Sequence, residues 1–123
     1  MRLYKAVDIR FDGESRDVIA IRDFVGWARE RRIRVIAAWP NTAYFHIYRR
    51  QAAKFERIAA FYRSLGVPMI GTPFATMFPI EDFHDTQYHL GYRGIQKRTA
   101  VTIADLRPLL SADQAAAGER PKR

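Results

Sequence analysis

Two apolar runs, each stopped by a proline, constrain this chain most. Ile33 to Trp39 reads Ile-Arg-Val-Ile-Ala-Ala-Trp and halts at Pro40, and Val67 to Thr72 is a second short apolar run that halts at Pro73. Such runs are the pattern of interior strands covered on both faces, and proline ends a ladder because it has no N–H to donate. Between them, Gln51 to Leu65 carries Phe55, Ile58, Ala59, Tyr62 and Leu65 at three- and four-residue intervals. That is the stripe of a helix with one buried side, and Gly66 follows it as a left-handed cap. Strand, helix and strand in this order imply a parallel pair joined by a crossover.

The flanking segments extend the pattern. Leu3 to Phe11 alternates as a strand does, and Asp12-Gly13-Glu14-Ser15 turns the chain. Asp17 is the expected cap of a helix with Val18, Ile21, Phe24, Val25 and Ala28 on one face, closed by the charged stretch Arg29 to Arg32. Ile95 to Leu110 reads as a last helix with Pro108 near its end. The expected fold is one α/β domain over residues 1–110, with a short, mostly parallel sheet, helices on both faces and a flexible basic tail over 111–123. In such sheets ligands gather at the carboxyl ends of the strands, here the loops after Trp39 and Thr72.

Composition removes several classes. Without cysteine there is no disulfide framework, thiolate nucleophile or cysteine-based zinc site. The amino-terminal residues lack the apolar core of a secretory signal, and the longest uncharged stretch, Leu65 to Ile80, holds too many Pro and Gly residues for a membrane span. A soluble chain is expected, cytoplasmic by default, with its compartment left open. The formal charge is +8, and Arg29 to Arg63 holds nine basic residues against Glu30 and Glu56. Most of these arginines would form a solvated helix face. No recognition helix, zinc finger or RNP-like pattern accompanies them, so nucleic acid is not the expected partner. The alternative function is a non-catalytic basic module that holds an anionic glycan or nucleic acid through this stretch.

Chemistry concentrates in Pro73 to Gly94, a long segment without clear periodicity that follows a strand end. Glu81, Asp82, His84, Asp85 and His89 would share a patch of negative potential there. A carboxylate at position 85 can accept the Nδ1 proton of an imidazole at position 89 and leave Nε2 free to take a proton from a nucleophile. The same spacing also serves a purely structural Asp–His contact. His84, Asp85 and His89 lack the spacing of known metal sites, so no metal and no cofactor is expected. His46, Trp39, Tyr44 and Tyr88 are candidates to contact substrate, and Ser15, in a turn between strand and helix, is the candidate nucleophile of lowest rank.

Phe83-His84-Asp85-Thr86-Gln87-Tyr88-His89-Leu90, then Gly94 and Lys97-Arg98-Thr99 opening a helix, resembles the carboxyl-terminal block of the SGNH (GDSL-like) hydrolases. The similarity is to the subgroup that moves acyl groups on cell-wall and other polysaccharides. Val35 to Pro40 resembles that family's fourth strand, and Val67 to Pro73 its fifth. The resemblance implies a flavodoxin-like three-layer α/β/α sandwich, of which this chain would be the carboxyl-terminal half. It also implies Asp85 and His89 as the acid and base of an esterase or O-acyltransferase, and an acylated glycan or small ester as substrate. Asp85 precedes His89 by four positions where three is commoner, Gly91 stands where the subgroup often has Asn, and no Gly-Asp-Ser block is present. A chain without that serine is expected to be inactive alone. Its fourth strand, Ile33 to Trp39, would offer an open edge to a second copy or a partner.

Overall fold

The strand, helix and strand unit forms, but over a shorter ladder than its apolar runs suggest. In the computed structural model, which describes residues 4–118, the elements are α1 (Arg16–Glu30), β1 (Ala37–Ala38), β2 (Thr42–Ala43), α2 (Ala52–Ser64), β3 (Met69–Ile70), β4 (Met77–Phe78) and α3 (Tyr92–Gly118). β1 pairs parallel with β3, Ala37 opposite Met69 and Ala38 opposite Ile70. β2 pairs parallel with β4, Thr42 opposite Met77 and Ala43 opposite Phe78. The chain is therefore a mixed α/β fold with two short parallel ladders in place of one sheet.

The ladders are short because their neighbours use the backbone. Ile33 N–H donates to Ala28 O and so belongs to the exit of α1, and Val67 N–H donates to Tyr62 O at the exit of α2. Pro68 has no N–H, and Pro40 ends the first run. The expectation of an interior strand over Ile33 to Trp39 is corrected accordingly. β1 is bonded along one edge among the described residues, and Ile33 is 48% exposed.

The amino-terminal strand is corrected as well. Residues 4–11 form no regular element and enter no ladder, and Leu3 lies outside the described residues. Alternate N–H groups are met by side chains instead: Lys5 donates to Gln87 Oε1 (3.0 Å), Val7 to Tyr48 OH (3.2 Å) and Ile9 to Gln51 Oε1 (2.7 Å). Gln51 Nε2 donates back to Val7 O at 3.1 Å, so one buried amide serves two backbone groups as a neighbouring strand would.

Ser15, not Asp17, caps α1, its Oγ accepting from Val18 N at 3.4 Å. Val18, Val25 and Ala28 are buried as expected, whereas Phe24 is exposed and stacks on Trp27. α3 begins at Tyr92 and runs through Pro108 to Gly118. The first part of the expected tail, from Ser111, is thus helical, and the remainder, residues 119–123, lies outside the described residues. Arg34 pairs with Asp113 on this extension.

The core has two clusters. Trp39, Tyr48 and Phe55 pack with Ala6, Ile9 and Met69 among others, and Ala43, Phe78, Phe83 and Leu90 form the second. Phe45 packs against both and joins them. Among the described residues no helix is long and apolar enough to cross a membrane.

Candidate functional site

Asp85 and His89 sit on one small loop. Phe83 and Leu90 form an antiparallel bridge at its base, and His84 N–H donates to His89 O at 2.8 Å just above. Inside, Thr86 Oγ1 accepts from Tyr88 N (3.3 Å) and from His89 N (3.1 Å). A short hydroxyl side chain can bond backbone N–H groups two and three residues on, which is why threonine suits this turn. The closed turn brings His89 Nδ1 to 2.7 Å from Asp85 Oδ1. The His84 and His89 rings meet edge to face, with centroids 5.6 Å apart.

Neighbouring segments hold this loop on several sides. Ala43 N donates to Gln87 O (2.9 Å), Asn41 Nδ2 to Tyr88 O (2.8 Å), and the amino-terminal segment reaches Gln87 through Lys5. Beneath it, Asp82 is fully buried and receives Lys97 Nζ at 2.5 Å and Arg93 Nε at 3.1 Å. Lys97 beside it holds the Asp82 carboxyl below its ordinary range, against the opposing effect of burial and with further help from Arg93. Asp82 O accepts from Gly91 N at 2.8 Å, so Asp82 holds the residue before α3 with its main chain and Arg93 and Lys97 of α3 with its side chain.

This arrangement corrects the expected negative patch. Asp82 contributes no free charge, because its buried carboxylate is paired with two partly exposed cations of α3. Sequence reading placed Asp82 in that patch and missed its pairing, although Arg93 and Lys97, four residues apart on one helix face, are the spacing that converges on a single anion. Gln87 and Asn41 were also missed, since polar loop residues carry no periodic signal.

The other candidate residues are placed elsewhere. Trp39 is buried, and its carbonyl accepts from Arg98 Nη2 at 2.8 Å. With Glu56, Arg63, Met69 and Gly71 it lines a cleft of about 290 Å³ at the carboxyl ends of β1 and β3. Arg63 and Glu56 are paired within that cleft at 2.5 Å. Tyr44 OH accepts from Arg49 Nε (2.8 Å), and both line a separate hollow with Phe74. His46 is exposed at the start of a 3-10 turn, His46–Gln51. Tyr88 is on the Asp85–His89 loop, exposed, its hydroxyl accepting from Gln87 Nε2. The structure thus groups Tyr88 with Asp85 and His89, while Trp39 and Tyr44 line hollows of their own.

The described serines are engaged in helices. Ser15 caps α1, Ser64 Oγ donates to Phe61 O at 2.6 Å, and Ser111 lies on α3. Among the described residues, no group of three or more His, Cys, Asp or Glu side chains is placed to hold a metal ion.

The His89 side chain is 62% exposed and that of Asp85 42%. With Nδ1 facing the carboxylate, Nε2 is the nitrogen left for proton transfer, on the far side of the ring. The pair can therefore act as an oriented general base on a surface loop. Comparison with protein-family models, with curated proteins and with solved structures found no match for this chain.

Proposed function

We propose that this chain carries the acid and base of an SGNH-type ester hydrolase or O-acyltransferase and takes its serine from another segment or chain. The observation that carries this reading is the 2.7 Å contact between His89 Nδ1 and Asp85 Oδ1 on an exposed, anchored loop. The succession of β1, α2, β3, the loop and α3 is consistent with the carboxyl-terminal half of a three-layer α/β/α sandwich. In the reaction, Asp85 accepts a hydrogen bond from Nδ1–H and so fixes the tautomer of His89. Nε2 takes the proton of the serine hydroxyl as its oxygen attacks the ester carbonyl, and returns that proton to the departing alcohol. The acyl group then passes to water or to a second hydroxyl. An acylated glycan or a small ester is the substrate class that the motif suggests, and the chain by itself is inactive.

Two measurements test this. Long-range nitrogen-15 NMR on the full chain should find His89 as the Nδ1–H tautomer, with the preference lost in Asp85→Asn. A serine-directed fluorophosphonate should leave the chain unlabelled. The Nε2–H tautomer at His89 would refute its role as base, and labelling of Ser15 would refute the absence of a nucleophile.

A further inference from the structure

The two helices before β1 and β3 end alike. At the exit of α1, Arg32 N–H donates to Arg29 O and Ile33 N–H to Ala28 O, and at the exit of α2, Gly66 N–H donates to Arg63 O and Val67 N–H to Tyr62 O. Both are Schellman closures, and each puts one residue in the left-handed region: Gly66 at φ 67° and Arg32 at φ 57°. Glycine adopts that conformation without steric cost; arginine does not. A strained side chain kept where glycine fits better points to a use for that side chain.

Arg32 lines an open groove of about 450 Å³ between these two helix ends, at the amino ends of β1 and β3. Arg29 and Arg34 also line it, beside the apolar Val25, Ile33 and Val67, and none of its lining residues is acidic. Arg29 Nη2 donates to Leu65 O at 2.6 Å, which holds that guanidinium across the groove. Arg34 is paired with Asp113 of α3. Asp113 offsets Arg34, and the two helix carboxyl ends contribute about half a negative charge each, so three guanidinium groups leave an excess of roughly one positive charge. A phosphate monoester presents three strong acceptor oxygens to these three guanidinium groups, whereas a carboxylate presents two.

The geometry points to this groove as a binding site for an organic phosphate. The phosphate lies on the guanidinium groups of Arg29, Arg32 and Arg34, which match its oxygens in planar, two-pronged fashion, and the carbon part lies on Val25, Ile33 and Val67. The site shares no residue with the Asp85–His89 loop and does not depend on the acyl-transfer reading.

The test is a titration of the full chain with glucose 6-phosphate, inorganic phosphate and glucose, followed by amide NMR shifts. Glucose 6-phosphate should shift Arg32 to Val35, Gly66 and Val67 and bind more tightly than inorganic phosphate, while glucose leaves the spectrum unchanged. Arg32→Gly should raise the melting temperature, because the strain is gone, and weaken binding roughly tenfold, as loss of one charge-assisted contact predicts. Asp113→Asn, which frees Arg34, should tighten it. Arg107→Gln on α3 should leave it unaltered. Unchanged affinity in Arg32→Gly, equal affinity for inorganic phosphate, or shifts spread over every basic surface would each overturn the assignment.

Discussion

Exchanging a single glycine for alanine should have opposite effects at positions 94 and 26, and the sign follows from what a Cβ would meet. At Gly94, in the first turn of α3, a Cβ would stand 2.5 Å from Asp82 O, 2.7 Å from Leu90 Cδ2 and 3.3 Å from Asp82 Cβ. The nearest atom is backbone and already accepts from Gly91 N, and Leu90 is buried in the core, so neither can withdraw freely. Overpacking of this kind costs about 1–3 kcal/mol, and the helix preference of alanine returns at most about 1 kcal/mol. Gly94→Ala should therefore lose about 1–2 kcal/mol, a melting point lower by roughly 4–10 °C for a domain of this size. At Gly26, inside α1, a Cβ meets nothing within 4 Å. There Gly26→Ala should gain about 0.5–1 kcal/mol. Urea denaturation followed by far-UV circular dichroism reads both. A Gly94→Ala protein as stable as the parent would show that α3 does not press against Asp82, and the account of how the Asp85–His89 loop is supported would fail with it.

Other consequences can be checked in the same way. Asp82 and Asp8 both have carboxyl groups held below their ordinary range, by Lys97 and by Lys54 first of all. The unfolded chain then takes up these protons first as the pH falls, so stability is full above about pH 4 and declines below it. Asp82→Asn should lower stability at neutral pH and flatten that acid decline in a melting-temperature series; an unchanged acid slope would contradict the buried pairing. Gln51→Ala removes two bonds to the amino-terminal segment and should cost about 1–3 kcal/mol, with faster amide exchange at Ile9. If Ile9 exchanges at its former rate, the segment is held by something else. Phe55 meets Trp39, Tyr48 and Phe74 at ring-centroid distances of 5.7, 6.4 and 5.8 Å. Phe55→Ala should lose about 3–5 kcal/mol in chemical denaturation, and a loss under 1 kcal/mol would mean the cluster is not the core.

Much of the helical content was legible because its signals are local. The stripe of α2 and its Gly66 stop involve residues a few positions apart, and the structure has both. The strands were less legible. Ile33 and Val67 look like strand residues by composition, but each is drawn into the closure of the helix before it, a competition that apolar content does not reveal. The alternation of residues 4–11 suggested a strand, yet their backbone groups are met by side chains of Gln51, Tyr48 and Gln87, far along the chain. Arg32 in a left-handed cap was invisible for a related reason, since glycine is the residue that normally announces that position.

The amino-acid order alone determined where α1, α2 and α3 lie in broad outline, that strand-like runs pair in parallel around α2, and that a carboxylate and an imidazole four residues apart stand in the loop before α3. Periodicity, turn chemistry and short spacing are properties of neighbouring residues and need no fold to be read. Tertiary structure decided that the parallel pairing splits into two ladders and that Asp82 is spent on Lys97 and Arg93. It also decided that Trp39 and Tyr44 line separate hollows and that two helix ends meet around three arginines. Those outcomes depend on which distant groups reach a buried polar atom first, and burial makes each such choice too costly to leave unsatisfied.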